Sequence, residues 1–317
     1  MSLKSLVSSK PFKYILAVAL LVILFFMVDR TALVETAKRV TVYNFGYLML
    51  ISVLLIYISA IKWGCFLESF GVSISAIRLF SLYLVGYFVN LIFPSYVGGD
   101  VIRSWYIGKR FGHHDVATST ILERYTGLLA MMILALISVA VGDVATPQIE
   151  MVTLLMGAAL FTATLLALRE ESLSLVKRIP LLNKASHHLV KIQSGLRLAT
   201  SKPKLLIHAM FLSFLFHTFT VLNTMAAGWA VGWHSADIGG LFVVLPLILI
   251  IGALPITPGG LGIQEGAFMF FLVAVGATPE QALGVGLLLR AKGYVLAFFG
   301  WFCWLWERRE SGKATVG

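Results

Sequence analysis

Glu123, Arg124, Arg290 and Lys292 lie inside long apolar stretches of the chain, Glu265 follows a break in one, and Asp100 and Arg103 follow a break in another. A charge at membrane depth costs about 2.5–3.5 kcal/mol on insertion scales, so each needs a partner or a purpose. The cations suit an anion such as phosphate. An acid one turn past a broken helix end suits a proton, a substrate amine or a nearby arginine. Both breaks read Pro-x-x-x-Gly-Gly, with Pro94, Gly98 and Gly99 in the first and Pro255, Gly259 and Gly260 in the second. Proline stops an incoming helix, paired glycines allow a sharp reversal, and the amides freed at the start of the returning half-helix favour an anion. The candidate phosphate-binding residues are therefore Gly98, Gly99, Arg103, Arg124, Gly259, Gly260 and Arg290, and the candidate polar or proton-coupling residues are Asp100, Glu123 and Glu265. Asp100 is also placed to cap the first returning helix and to pair with Arg103 one turn on. The plainer alternatives are that these charges pair with one another to hold helices together, and that Arg103 snorkels to the cytoplasmic surface.

Other chemistries find little support. His113-His114-Asp115 and His187-His188 lack further ligands at metal spacing, so no metal and no cofactor is expected. Ser95 has no His–Asp pair in reach for nucleophilic catalysis. Cys65 and Cys303 lie in or beside apolar stretches and read as packing residues.

The elements that must position these residues are membrane helices. Of 317 residues, 59% are apolar before the 28 glycines are counted, and only 25 are Lys or Arg and 15 Asp or Glu. A soluble chain of this length would carry about 79 charged residues, so this one cannot cover its own surface with polar groups. An ordinary soluble enzyme is excluded, and so is an outer-membrane barrel, because the apolar runs are continuous rather than alternating. Six full spans are expected near 14–28, 45–61, 116–141, 152–168, 205–231 and 282–306, with a loop at 30–39 after the first. Lys62-Trp63 reads as a basic-aromatic pair at the membrane interface. The run 79–93 meets the first break, and the polar residues after it imply that the chain dips in and returns; 241–254 and 267–275 flank the second break.

The net charge of +10 is chiefly a topology signal rather than a sign of nucleic acid. Arg169, Lys177, Arg178, Lys184, Lys191, Arg197, Lys202 and Lys204 fall in one loop, 169–204, which is read as cytoplasmic. Within it Leu189, Ile192 and Leu196 recur at helical spacing beside basic residues, as in an amphipathic helix on an anionic leaflet. Six spans then place both termini in the cytoplasm, and the loops after 141 and 231, which lack Lys and Arg, outside.

The two breaks also suggest a repeat. Each is followed by an arginine three residues before a glycine, Arg124 with Gly127 and Arg290 with Gly293. One break enters from the cytoplasm and the other from outside, the arrangement of inverted repeats whose discontinuous helices meet near the midplane. The expected fold is all-α: a polytopic membrane domain over 1–317, with about six full spans and two re-entrant broken-helix pairs, and pseudo-repeats at about 1–142 and 150–310.

The stretches Gly86-Tyr87-Phe88 to Phe93-Pro94, Gly98-Gly99-Asp100-Val101-Ile102-Arg103 and Glu123-Arg124-Tyr125-Thr126-Gly127-Leu128 resemble the lysylphosphatidylglycerol synthase transmembrane region. So do Leu254-Pro255 and Gly259-Gly260-Leu261-Gly262-Ile263-Gln264-Glu265-Gly266, with Lys62-Trp63 and Leu289-Arg290 as further similar pairs. Proteins of this group are flippase-like, and multidomain members move an aminoacylated phospholipid between leaflets. The resemblance implies that Asp100, Arg124 and Glu265 match polar positions important for transport. Glu123 stands where many members have aspartate. Nothing after Glu307 is long enough to form the family's soluble aminoacyl-transfer domain, so a synthase activity is not expected.

The expectation is thus a multi-pass inner-membrane lipid transporter and not an enzyme, with an anionic phospholipid or a polyprenyl-phosphate-linked lipid as its partner. The rival readings are a membrane-embedded enzyme acting on a lipid-linked sugar, and a non-transporting partner of a lipid-modifying enzyme.

Overall fold

A computed structural model describes residues 10–93, 97–142, 144–168, 193 and 202–313. Pro94, Ser95 and Tyr96 of the first break lie outside the described residues, as do His187, His188 and nearly all of the 169–204 loop with its amphipathic stretch. The described residues form eleven α-helices and one 3-10 turn, with no strand among them. In chain order these are α1 (Lys10–Phe26), α2 (Arg30–Lys38), α3 (Val42–Ser69), α4 (Ala76–Ile92), α5 (Val97–Phe111), α6 (His113–Val141) and α7 (Pro147–Leu168). After the loop come α8 (Pro203–Ala230), α9 (Ile238–Ala253), the 3-10 turn (Pro258–Gly260), α10 (Ile263–Ala274) and α11 (Pro279–Lys313). The protein is an all-α polytopic membrane protein. Five helices, α3, α6, α7, α8 and α11, are long and apolar enough to cross a bilayer, and a sixth crossing counts α1 with α2.

Local chemistry sets most of the boundaries. Pro147, Pro203 and Pro279 begin α7, α8 and α11, where a missing N–H and a fixed φ cost nothing. Thr41 and Asp237 cap α3 and α9 by accepting from Asn44 N at 3.2 Å and Gly240 N at 2.6 Å. Residues 30–39, expected as a loop, instead contain α2, which leaves α1 at 96°. Asp29 caps it by accepting from Ala32 N at 2.9 Å, and Leu33 and Thr36 are its buried face.

α4 and α9 have 17 and 16 residues, about 26 and 24 Å of helix, short of a full hydrocarbon core. α4 ends at the first break and α5 follows it, packed against α4; α9 ends at the second and α10 follows it, packed against α9. Positive φ at Gly259, Gly260 and Gly262 (54°, 65° and 80°) makes the second reversal, a backbone that L side chains rarely adopt. The two tips touch: Gly259 N donates to Phe93 O at 3.4 Å.

Two large hydrophobic cores and two smaller clusters hold the described helices. One gathers Leu241, Val244 and Ile248 of α9 with Phe268 and Leu272 of α10, Val221 of α8, and Val285 and Leu288 of α11. The other gathers Ile56, Ala60 and Trp63 of α3 with Leu79 and Leu82 of α4, Val116 of α6 and Leu296 of α11. α11 therefore runs through both, and its broadest packing is on α4. Outward-facing side chains are apolar too: Leu154, Leu155, Phe161 and Leu165 of α7 are exposed, as a lipid-facing helix requires.

Candidate functional site

Spacing on four helices builds the first group. On α5, Asp100, Arg103 and Ser104 are three and four residues apart and share a face. On α6, Ser119, Thr120, Glu123 and Gly127 form a stripe at helical spacing. Ser104 Oγ lies 2.8 Å from Thr120 Oγ1 and ties the two faces together. α3 contributes Lys62 and Trp63, and α4 contributes Tyr83 and Asn90.

Glu123, 3% exposed, is the shared acid. Its Oε1 lies 3.3 Å from Lys62 Nζ, and its Oε2 accepts from Arg103 Nη2 at 2.6 Å. Arg103 also donates through Nε to Asp100 Oδ1 at 3.1 Å. Its guanidinium sits 4.3 Å from the ring centroids of both Trp63 and Tyr83, in the corner between these nearly perpendicular rings, whose π-faces attract a cation. Trp63 is fixed in turn by donating to Ser119 Oγ at 3.1 Å. Arg124 grips Asp100 with a two-bond fork, Nε to Oδ2 at 2.7 Å and Nη2 to Oδ1 at 2.6 Å. One residue after Glu123 on the helix, its side chain points outward and is 58% exposed.

Three cations thus meet two carboxylates, leaving one positive charge in excess. Within this group two buried polar atoms have no hydrogen-bond partner, Arg103 Nη1 and Tyr83 Oη, and both can donate. His217 of α8 approaches from another side: a Cβ placed on Gly127 would be 3.3 Å from Lys62 Nζ and 3.7 Å from His217 Nε2.

The second group is neutral and turned into its own hairpin. Glu265, in the first turn of α10, accepts from Gly262 N at 2.7 Å and pairs with Arg290 Nε. Arg290 Nη1 donates to Gly259 O at 3.1 Å, and Nη2 donates to Gly260 O at 3.2 Å and to Gln264 Oε1 at 3.3 Å. Arg290 therefore satisfies the carbonyls that the reversal leaves open.

The groups occupy like positions in their hairpins. Each returning helix carries an acid in its first turn, and an arginine on the next long helix holds it, 24 residues on for Asp100–Arg124 and 25 for Glu265–Arg290. Asn90 joins them: its Oδ1 accepts from Gly99 N at 2.7 Å, and its carbonyl would lie 3.2 Å from a Cβ on Gly259.

Comparison with known proteins follows this geometry. The family profile described as the lysylphosphatidylglycerol synthase TM region matches residues 12–300, which takes in both hairpins and both acid–arginine pairs. The chain belongs to this family. A UPF0104 membrane protein of Methanothermobacter thermautotrophicus is 23% identical over 258 residues, 73% of this chain and 75% of the relative. A UPF0104 membrane protein of Methanocaldococcus jannaschii is 24% identical over 294 residues, 85% and 87% of the two chains.

Asp100, Arg103, Glu123 and Arg124 come together in the first group, and Glu265, Arg290, Gly259 and Gly260 in the second. Arg103 is 1% exposed and does not snorkel. Gly98 and Gly99 sit at the α4–α5 crossing, where a Cβ would meet Phe93 Cβ at 2.7 Å and Gly86 O at 2.8 Å respectively. The amides of Gly99, Gly259 and Gly260 already donate to Asn90 Oδ1, Phe93 O and Thr257 O; among the described residues around the two tips, the buried side-chain donors left open are Arg103 Nη1 and Tyr83 Oη in the first group and Thr257 Oγ1 at the second tip.

Lys62 and Trp63 need correcting: they are 3% and 0% exposed, inside the first group and not at an interface. The signal was available, because the apolar run resumes at Gly64-Cys65-Phe66-Leu67 and α3 continues to Ser69. Asn90, also missed, is a lone amide in the apolar run before Pro94, where a hydrogen-bonding role is the physical expectation. Tyr83 carried no comparable signal.

Proposed function

We propose that the protein moves an anionic lipid, a phospholipid or a polyprenyl-phosphate-linked lipid, between the leaflets of the inner membrane. The observation that carries this reading is the first charge group. A buried cluster with one uncompensated positive charge and two open donors is costly unless an anion completes it. Arg124, fixed at one edge by Asp100 and exposed at the other, is the group a phosphate arriving from the bilayer meets first. Arg103 Nη1 and Tyr83 Oη are the donors that would receive it deeper in. The lipid's chains would stay in the surrounding hydrocarbon, where the outer helix faces are apolar.

An inverted repeat supplies the two-sided access this requires. It is supported by the matching acid–arginine pairs, by the two short helix pairs and by the contact between their tips. Rocking of one repeat (1–142) against the other (150–310) would open the shared midplane region to each leaflet in turn. Both termini and the basic 169–204 loop are cytoplasmic in this arrangement, following the charge bias of the loops.

Reconstitution tests the reading. The purified chain is placed in liposomes with leaflet-labelled phosphatidylglycerol, phosphatidic acid or a polyprenyl phosphate, and exchange between leaflets is timed against empty liposomes. Accelerated exchange of at least one of these lipids, lost in Arg124→Ala, is expected. Rates equal to those of empty liposomes for all three would reject it.

A further inference from the structure

Four of the five cations at membrane depth have a carboxylate: Lys62 and Arg103 share Glu123, Arg124 holds Asp100, and Arg290 holds Glu265. Lys292 has no hydrogen-bond or ion-pair partner among the described residues, yet it is only 9% exposed. It lies 13 residues into α11, about 20 Å along an apolar segment, Pro279–Arg308, of about 45 Å, and so close to its middle. Being two residues past Arg290, it lies about 200° further round the helix and away from the tip that Arg290 fills.

Its position along α11 falls between the two cores. Leu288, one turn before, belongs to the core of α8, α9 and α10; Leu296, one turn after, belongs to the core of α3, α4 and α6. Beside it, a Cβ on Gly293 would meet nothing within 4 Å, so there is open space along this part of the helix. A lone ammonium in such surroundings loses most of its hydration with no carboxylate to offset the cost.

We infer that Lys292 is a second anion site, which receives a phosphate group at mid-depth, separate from the Arg103–Arg124 group. The inference rests on the lipid-transport reading for the source of that phosphate, a lipid headgroup in transit; a free phosphate ion shares its chemistry. In transit the lipid would exchange one cationic partner for the next and not cross a bare apolar gap.

The test is binding, so that it stands apart from transport. Short-chain phosphatidylglycerol, short-chain phosphatidylcholine and inorganic phosphate are each titrated into the full chain in neutral detergent. Wild type, Lys292→Met and Lys292→Arg are compared, with folding checked by thermal unfolding. Wild type is expected to prefer phosphatidylglycerol; Lys292→Met should weaken that binding about tenfold, the loss of one charge-assisted hydrogen bond, and Lys292→Arg should keep it. A second measurement needs no variant: phosphatidylglycerol should slow chemical modification of Lys292 by an amine reagent, read by peptide mass.

Undiminished preference for phosphatidylglycerol in folded Lys292→Met overturns the site. If that variant does not fold, Lys292 modification that is unchanged by phosphatidylglycerol, or no modification at all, overturns it instead. A response to inorganic phosphate alone keeps the site and removes the lipid as its source. Anion binding that depends on Lys292 in a protein that leaves leaflet exchange at the empty-liposome rate keeps the site and rejects the transport reading. Exchange by a protein whose Lys292 binds nothing does the reverse.

Discussion

Glu123→Gln is the perturbation on which the charge group bears most directly. Glutamine keeps the side chain's shape and one acceptor but removes the charge that two buried cations share. Lys62 has no other carboxylate in reach, whereas Arg103 retains Asp100 at 3.1 Å. At an effective dielectric of 20, the 3.3 Å Lys62–Glu123 contact corresponds to a gross attraction of about 5 kcal/mol. The amide of glutamine recovers about 1–1.5 kcal/mol as a neutral hydrogen bond. The expected destabilisation is therefore about 3–4 kcal/mol, within the range of about 3–5 kcal/mol for breaking a buried pair from one side.

Lys62→Met leaves Glu123 paired with Arg103 and should cost less, about 1–3 kcal/mol. The double variant removes both the ammonium and the acid it needs, so it should be about 2 kcal/mol less destabilised than the two single effects added together. Reversible unfolding in mixed micelles, followed by tryptophan fluorescence, measures all four proteins. A Glu123→Gln protein within about 1 kcal/mol of wild type, or single effects that simply add, would refute the description of Lys62, Glu123 and Arg103 as one electrostatic unit.

Gly99→Ala places a methyl 2.8 Å from Gly86 O and 2.9 Å from Asn90 Nδ2, so α4 and α5 must part at a cost of about 1–3 kcal/mol, while Gly46→Ala, with nothing within 4 Å, should not destabilise. Equal stability of the two in the same unfolding assay would mean that the α4–α5 crossing is looser than described. Arg290→Lys keeps the charge but cannot reach Glu265, Gln264 and the carbonyls of Gly259 and Gly260 together, since only a planar fork spans them. Leaflet exchange should fall at least about tenfold, and an unchanged rate would show that the second tip does not need this brace.

Much of the architecture could be read from the chain alone, because the apolar runs are long and their interruptions sharp. All six expected spans coincide with long helices or with the bent α1–α2 pair, and a helix ends at each break, although Gly98 and Gly99 lie inside α5 and only the second glycine pair makes a turn. α2 runs against composition: nine residues with two cations and one acid resemble a loop, and only the Asp29 cap and the burial of Leu33 and Thr36 against the protein make them helical. Lys62 and Trp63 misled for a related reason. A basic-aromatic pair is what a membrane interface favours, but it is also what a buried ion pair beside a cation–π contact requires; the dipeptide itself does not separate the two, and only the apolar residues that resume at Gly64 argue for burial. The choice is made by Glu123, 61 residues away, which a pattern along the chain does not bring near.

The matching of the two hairpins illustrates where spacing along a chain is informative. Counted from the glycine pair to the arginine, the intervals are unequal, 24 intervening residues in one hairpin and 29 in the other. Counted from the acid, they are 24 and 25 steps. The difference lies in the reversal itself, where Asp100 directly follows Gly99 but Glu265 comes five residues after Gly260. The second tip takes up its extra residues in the buried 3-10 turn and at Gly262, where a Cβ would come within 2.7 Å of Leu20 Cβ, whereas the path from the acid's helical turn to the next long helix is fixed by the contact the acid must make. The acid and the arginine are each costly at membrane depth when alone, so the register that joins them is the part of the hairpin least free to drift. Once each arginine is committed to its acid, the described cations at membrane depth that remain without full compensation are in the first group and at Lys292, and it is there that an anionic ligand would gain most.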